Sequence, residues 1–226
     1  EARFAAYRGI VEQFKGDATP QVRKCVVDAA RWMLRLAADK PAAVALCEEI
    51  AGANAESDDR DMQSAVNQLL LACADAPVDK AKTIELYDAV LERYRRGLKG
   101  ISHHDLGKAL YGKAAVTNAP SLAAEFFAER IASAGSEDEL FLVLKAKSEC
   151  SYFDSVQEEG RRELVARFID TNDAEKAIVV MKTVEYDARP GECPDAPSPV
   201  YASMAERFAG AKDGKGFKGY LKALRS

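Results

Sequence analysis

The chain has 226 residues, 48% of them apolar and 30% charged, with a formal net charge of −4. That balance excludes an intrinsically disordered chain, and the length is enough to bury a core. The negative charge excludes a protein that coats nucleic acid non-specifically, while leaving room for a local basic face.

Residues favourable to helix dominate and runs of β-branched residues are rare, so helices are expected from end to end. The first, Ala2–Gln13, carries Phe4, Tyr7, Ile10 and Val11 on one stripe and must pack on its successor. Thr19-Pro20 opens a second helix through Val26, Ala29, Ala30 and Met33, with Trp32 beside it. Asp39-Lys40-Pro41 opens a third, and Val66, Leu69, Leu70 and Cys73 trace a fourth at helical spacing. Further on, the same spacing is kept by Leu106, Ala109, Leu110 and Ala114, then by Leu140, Val143, Leu144 and Lys147. It returns at Ala177, Val180, Met181 and Val184, and is imperfect at Ala114 and Lys147. Asn118-Ala119-Pro120-Ser121 breaks the chain between helices. Ser136 and Asp173 are expected N-caps, and Gly52, Gly97 and Gly135 are expected helix terminators.

Alternating with the second, fourth and later helices is a recurring ending: apolar, two polar or small residues, then a large apolar residue. Its last residues are Phe14, Ile50, Val90, Ile131, Phe168 and Phe208, separated by 36, 40, 41, 37 and 40 positions. A helix pair that recurs in this way cannot bury its own apolar faces and must stack on its neighbours. The expected fold is therefore all-α: an α-solenoid of antiparallel helix-pair repeats with a period of about 38 residues. The repeats are expected over 1–187, followed by a proline-rich loop at 188–199 and a last helix pair at 200–226. The final segment, Ala211–Ser226, holds five Lys or Arg against one Asp, and its Phe217–Arg225 helix is polar enough for a cap.

Chemistry-bearing motifs are few. His103 and His104 are adjacent and point about 100° apart on a helix, unlike the i, i+4 pair of a zinc site. The Gly-Lys steps at Gly107-Lys108 and Gly112-Lys113 lack the Ser or Thr and the strand of a P-loop. Acidic pairs such as Glu48-Glu49 read as solvated helix faces. No catalytic constellation and no cofactor or metal site is expected, so the chain reads as a non-enzymatic binding protein. Five scattered cysteines without a CxxC pair suggest reduced thiols in an intracellular compartment. No apolar run reaches the length of a membrane span. The chain opens on Glu1 rather than Met, as a trimmed or processed form would.

One charge pattern suggests a surface. With Leu110, Leu144 and Met181 aligned, Lys145 and Lys182 fall at the next position, and Lys113 and Lys147 fall three residues on. If these helices line a concave face, Lys113, Lys145, Lys147 and Lys182 form a ladder able to meet phosphates or an acidic peptide.

The stretch from Ile101 to Phe168, with its "DLGKALYGKAAVTNAPSLAAEFFAERI" and "SEDELFLVLKAKSECSYFDSVQEEGRRELVARF", resembles the heptatricopeptide and octotricopeptide repeats of organellar RNA-metabolism proteins. It is similar in style, more distantly, to pentatricopeptide and tetratricopeptide repeats, whose signature residues are missing at this longer spacing. The resemblance implies a scaffold or adaptor in RNA processing, such as a subunit of a kinetoplastid mitochondrial RNA-editing complex, with protein partners and RNA. It implies no base-by-base code. Two alternatives remain open: a tetratricopeptide-like protein adaptor without nucleic acid, and an interaction domain of a larger enzyme. The oligomeric state is open as well.

Overall fold

The computed structural model describes residues 2–17, 19–97, 102–168, 171 and 173–187. The expected proline-rich loop at 188–199, the last helix pair at 200–226 and the Phe208 ending lie outside the described residues. Among those described there are ten helices and no strand. In chain order they are α1 (Ala2–Phe14), α2 (Pro20–Leu36), α3 (Lys40–Ala53), α4 (Arg60–Ala74) and α5 (Lys80–Arg95). There follow α6 (His103–Thr117), α7 (Leu122–Ala132), α8 (Glu137–Ser148), α9 (Asp154–Phe168) and α10 (Ala174–Asp187). None is long and apolar enough to cross a membrane.

Local chemistry sets most of the starts. Asp39, Asp59 and Asp79 each accept a backbone N–H of the following turn through Oδ1, at 3.0, 2.8 and 2.8 Å. Ser102 and Ser136 cap α6 and α8 in the same way, at 3.0 and 3.1 Å. Asp173 serves α10 through Glu175 N and Lys176 N. Such a cap is worth about 1 kcal/mol against alanine. Left-handed backbone falls at Gly97 (φ 69°) and Asn118 (φ 55°). Gly52 instead lies inside α3, and the expected terminator Gly135 has no left-handed φ. Asn118 takes that conformation because its short polar side chain tolerates it.

The chain divides into two compact units, residues 1–126 with 150–153, and residues 127–149 with those from 154 onward. Within the first, helices pack in neighbouring pairs from α1·α2 to α5·α6, and each even-numbered helix also meets the next, α2 on α4 and α4 on α6. Val26, Met33, Cys47, Val66, Leu69 and Leu110 are among the side chains buried there. Each large apolar side chain so buried contributes roughly 1.5–3 kcal/mol before entropy is charged against it.

A polar knot lies inside this apolar packing. Arg93 of α5 is buried and donates from Nε to Asn67 Oδ1 at 2.7 Å, from Nη1 to Ala55 O at 3.2 Å, and from Nη2 to Gln63 Oε1. Gln63 Nε2 in turn donates to Ala55 O and Ser57 O. Burial pushes the Arg93 guanidinium downward from its ordinary pKa, with the Glu56 charge opposing. The acceptors satisfy it without any of them being a carboxylate.

In the second unit α8 packs on α9, and α10 on both. Phe141, Leu144, Leu164, Phe168 and Val180 form its core, with the Phe141 and Phe168 rings edge to face at 5.0 Å. Lys147, the misfit in the apolar stripe of α8, is 4% exposed, and its ammonium meets Glu159 at 2.9 Å and Glu163 at 3.2 Å. Its stem is packed as an apolar side chain would be, and its charge is neutralised from α9.

Three glycines in the helices, Gly107, Gly112 and Gly160, allow close approach. A Cβ on Gly112 would lie 2.2 Å from the Tyr87 ring, and one on Gly160 2.7 Å from the backbone of Lys147 and Ser148. Gly160→Ala should therefore destabilise the chain by about 2 kcal/mol, because overpacking outweighs the gain in helix propensity. Gly9→Ala, with open space around the new methyl, should stabilise it by up to about 1 kcal/mol. Urea unfolding of the two variants checks the opposite signs.

Candidate partner-binding groove

The even-numbered helices of the first unit wall a groove of about 440 Å³. Arg31, Leu34 and Arg35 enter it from α2, Lys40 from the start of α3, and Gln68, Leu71 and Ala72 from α4. Asp75, Ala76 and Pro77 come from the turn after α4, and His104, Asp105 and Lys108 from the first turns of α6. The lining thus holds four permanent cations against two carboxylates, in a chain that is negative overall.

These charges are held in different ways. Lys108 pairs with Asp75 at 2.5 Å. Lys40 Nζ donates to Leu34 O and Arg35 O at 2.8 and 3.0 Å, where the last carbonyls of α2 want a cation. Arg31 donates to Gln68 Oε1 and stands 3.8 Å from Asp28. The Arg35 guanidinium sits 4.7 Å over the Trp32 ring, which is 43% exposed and is stacked in turn on Tyr7. Two buried atoms of the lining have no hydrogen-bond partner: Arg31 Nε and Asp105 Oδ2.

Aromatic side chains continue from the α6 wall. Tyr152 Oη is 3.2 Å from His104 Nε2, the two rings are 5.4 Å apart, and Tyr111 lies 5.6 Å beyond Tyr152. Tyr111 is 53% exposed. The neighbouring His103 does not line the groove.

The lysines expected as a ladder fall in two separate units. Lys113 pairs with Asp88 in the first unit, and Lys145 reaches Glu149 at 4.0 Å in the second. Lys147 is buried between two glutamates and is not a surface group, contrary to the expected ladder. The Lys182 side chain lies outside the described residues, although its backbone belongs to α10.

The groove residues left a trace in the sequence. Arg31 and Arg35 are four apart on α2 and so share a face, and Gln68 and Lys108 are separated by 40 residues, close to the interval expected from the sequence. Aligning α2, α4 and α6, in place of α6, α8 and α10, is the comparison that finds them.

The interior disfavours the thiolate form of two of the thiols, Cys73 and Cys150. Burial pushes the Cys150 thiol up to about 11, against a backbone hydrogen bond from Tyr152. The buried Cys73 thiol is raised too, chiefly by its hydrogen bond with Cys47 and then by burial. Among the described residues no group of three His, Cys, Asp or Glu side chains is placed to hold a metal ion. No family model matches this chain, and neither does any curated protein or solved structure.

The thiol chemistry is directly measurable. At pH 8 a thiol with a pKa of about 11 is only about 0.1% thiolate, against roughly a quarter for an ordinary cysteine. Cys25, which is exposed, should label with a disulfide reagent in the native protein well before the buried Cys150. Cys25→Ala should remove a fast phase of labelling that Cys150→Ala leaves intact.

Proposed function

We propose that the chain is a non-enzymatic helical-repeat scaffold, an α-solenoid with a period of about 38 residues, that serves as a subunit of an RNA-processing assembly. The observation that carries this reading is the open cationic groove walled by α2, α4 and α6, three helices one pair apart in the chain. A surface built from equivalent helices of successive pairs is what helical-repeat proteins offer a partner.

Two further observations support it. Phe14, Ile50, Val90, Ile131 and Phe168 all fall within the last two turns of an odd-numbered helix, α1, α3, α5, α7 and α9. The polar groups of the groove are arranged for holding: His104 is engaged by Tyr152, and the salt-bridged and helix-capping cations are fixed in place. The resemblance of residues 101–168 to organellar RNA-metabolism repeats supplies the setting, of which a mitochondrial RNA-editing complex is an instance. Protein subunits are the expected partners and RNA the expected cargo.

The tagged chain, purified from cells that make it, should bring down a fixed set of RNA-processing subunits. Their recovery should survive nuclease treatment, because a scaffold holds them by protein contacts. Recovery with the catalytic part of one metabolic enzyme, or as an unaccompanied chain, overturns the reading.

A further inference from the structure

We propose that four aromatic side chains on and beside α6 form a platform for a polyproline II helix, and that its occupant is the proline-rich segment 188–199 of a second copy of this chain. The platform belongs wholly to the first unit, and the proposal stands apart from the RNA-processing reading.

The platform is built on one face of α6. His104 and Tyr111 are seven residues apart on that face, with Gly107 between them. A Cβ on Gly107 would lie 2.8 Å from Tyr152 Cδ2, so the missing side chain is what seats Tyr152 against the helix. The His104 and Tyr152 rings are 5.4 Å apart and inclined at 44°, and Tyr152 and Tyr111 are 5.6 Å apart at 34°. Phe153 extends the row, 6.0 Å from Tyr111 at 62°. His104 and Tyr111 are exposed, and the other two rings are half-buried.

Spacing is the argument for a proline-rich occupant. Seven residues of α-helix rise about 10 Å, which separates His104 from Tyr111 along α6. A polyproline II helix returns to the same edge every three residues, after about 9.3 Å. Residues 188–199 lie outside the described residues, but their sequence holds four prolines, and Pro194 and Pro197 are three apart. Docked in that conformation, the two prolines meet His104 and Tyr111 in step and straddle Tyr152. Aromatic rows take such segments because proline is apolar and fixes its own φ, so little order is lost on binding. Polyproline II carbonyls have no internal donor, and Tyr111 brings a hydroxyl to them.

Charge agrees with this occupant. Lys108 stands on the same face, one turn from both His104 and Tyr111, and has a single aspartate partner, Asp75. In the segment Asp195 lies between Pro194 and Pro197, and Glu192 precedes them. The groove that His104 and Lys108 also line holds four permanent cations against two carboxylates, a surplus that favours this approach. One such contact is small. A two-fold pair makes it twice, each copy giving its segment to the other's platform, and the second contact forms at the effective concentration set by the first.

The test joins sedimentation velocity of the full chain with fluorescence anisotropy of a labelled 188–199 peptide. The chain should pass from monomer to dimer as it is concentrated from about 5 to about 500 μM, the range of a weak reciprocal contact. Pro194→Ala with Pro197→Ala should keep it monomeric, while its vacated platform binds the added wild-type peptide. A peptide carrying the same two substitutions should bind at least about tenfold more weakly. Tyr111→Ala, at an exposed position, should weaken dimer and peptide binding at least about fivefold. Arg162→Gln, on the exposed surface of the second unit, should change neither. Circular dichroism confirms that each variant is folded. A chain that stays monomeric throughout, a dimer indifferent to the prolines or to Tyr111, equal binding of the substituted peptide, or displacement of the peptide by single-stranded RNA overturns the proposal. Recovery of RNA-processing subunits is a separate measurement, so the scaffold reading stands or falls without it.

Discussion

Everything in the first unit depends on how closely one helix can approach the next. An amphipathic hairpin buries one stripe internally and leaves another uncovered, so α2, α4 and α6 must each meet odd-numbered neighbours and each other. Small side chains permit this: Ala29 and Ala30 on α2, Ala65 on α4 and Ala109 on α6 are all buried. Where even a methyl is too large, as at Gly112 beneath Tyr87, the side chain is absent. The groove follows from this stacking, since three helices whose inner stripes are used up leave a shared channel along their outer edges.

What fills the channel follows from the ends of the helices. The α2 carbonyls draw in Lys40, the turn after α4 supplies Asp75, and the first turn of α6 supplies His104 and Asp105. The same turn chemistry that starts and stops these helices thereby fixes polar groups in the groove. The cations come from the last two turns of α2 (Arg31 and Arg35), the first residue of α3 (Lys40) and the second turn of α6 (Lys108). The groove is thus lined by carboxylates at helix ends and cations on or near the helices that wall it.

Much of the fold was legible because periodicity and punctuation are local signals. The spacing of Val66, Leu69, Leu70 and Cys73 identifies α4, and Ser136 and Asp173 announce α8 and α10. Lys147 shows where that legibility stops. Its place on an apolar stripe read as a flaw in the pattern and its repetition as a surface ladder, whereas Glu159 and Glu163 on α9 make it an interior residue. Partners that far along the chain cannot be read from spacing. The groove was hidden for the same reason, since Arg31 and Lys108 belong to one surface only after α4 has been placed between their helices. Gly112 and Gly160 likewise give no sign in sequence of the neighbour that forbids a side chain.

Arg93 has a consequence for how such a chain finds its order. Amphipathic helices of similar length can pack against many partners, and apolar stripes alone discriminate weakly among them. A guanidinium that is buried without a carboxylate is tolerated only where Gln63, Asn67 and the Ala55 carbonyl are all in position. Docked against any other helix, α5 would bury that charge uncompensated, a penalty of several kcal/mol. The knot therefore works as an address: it tells α5 which neighbouring helix is the right one.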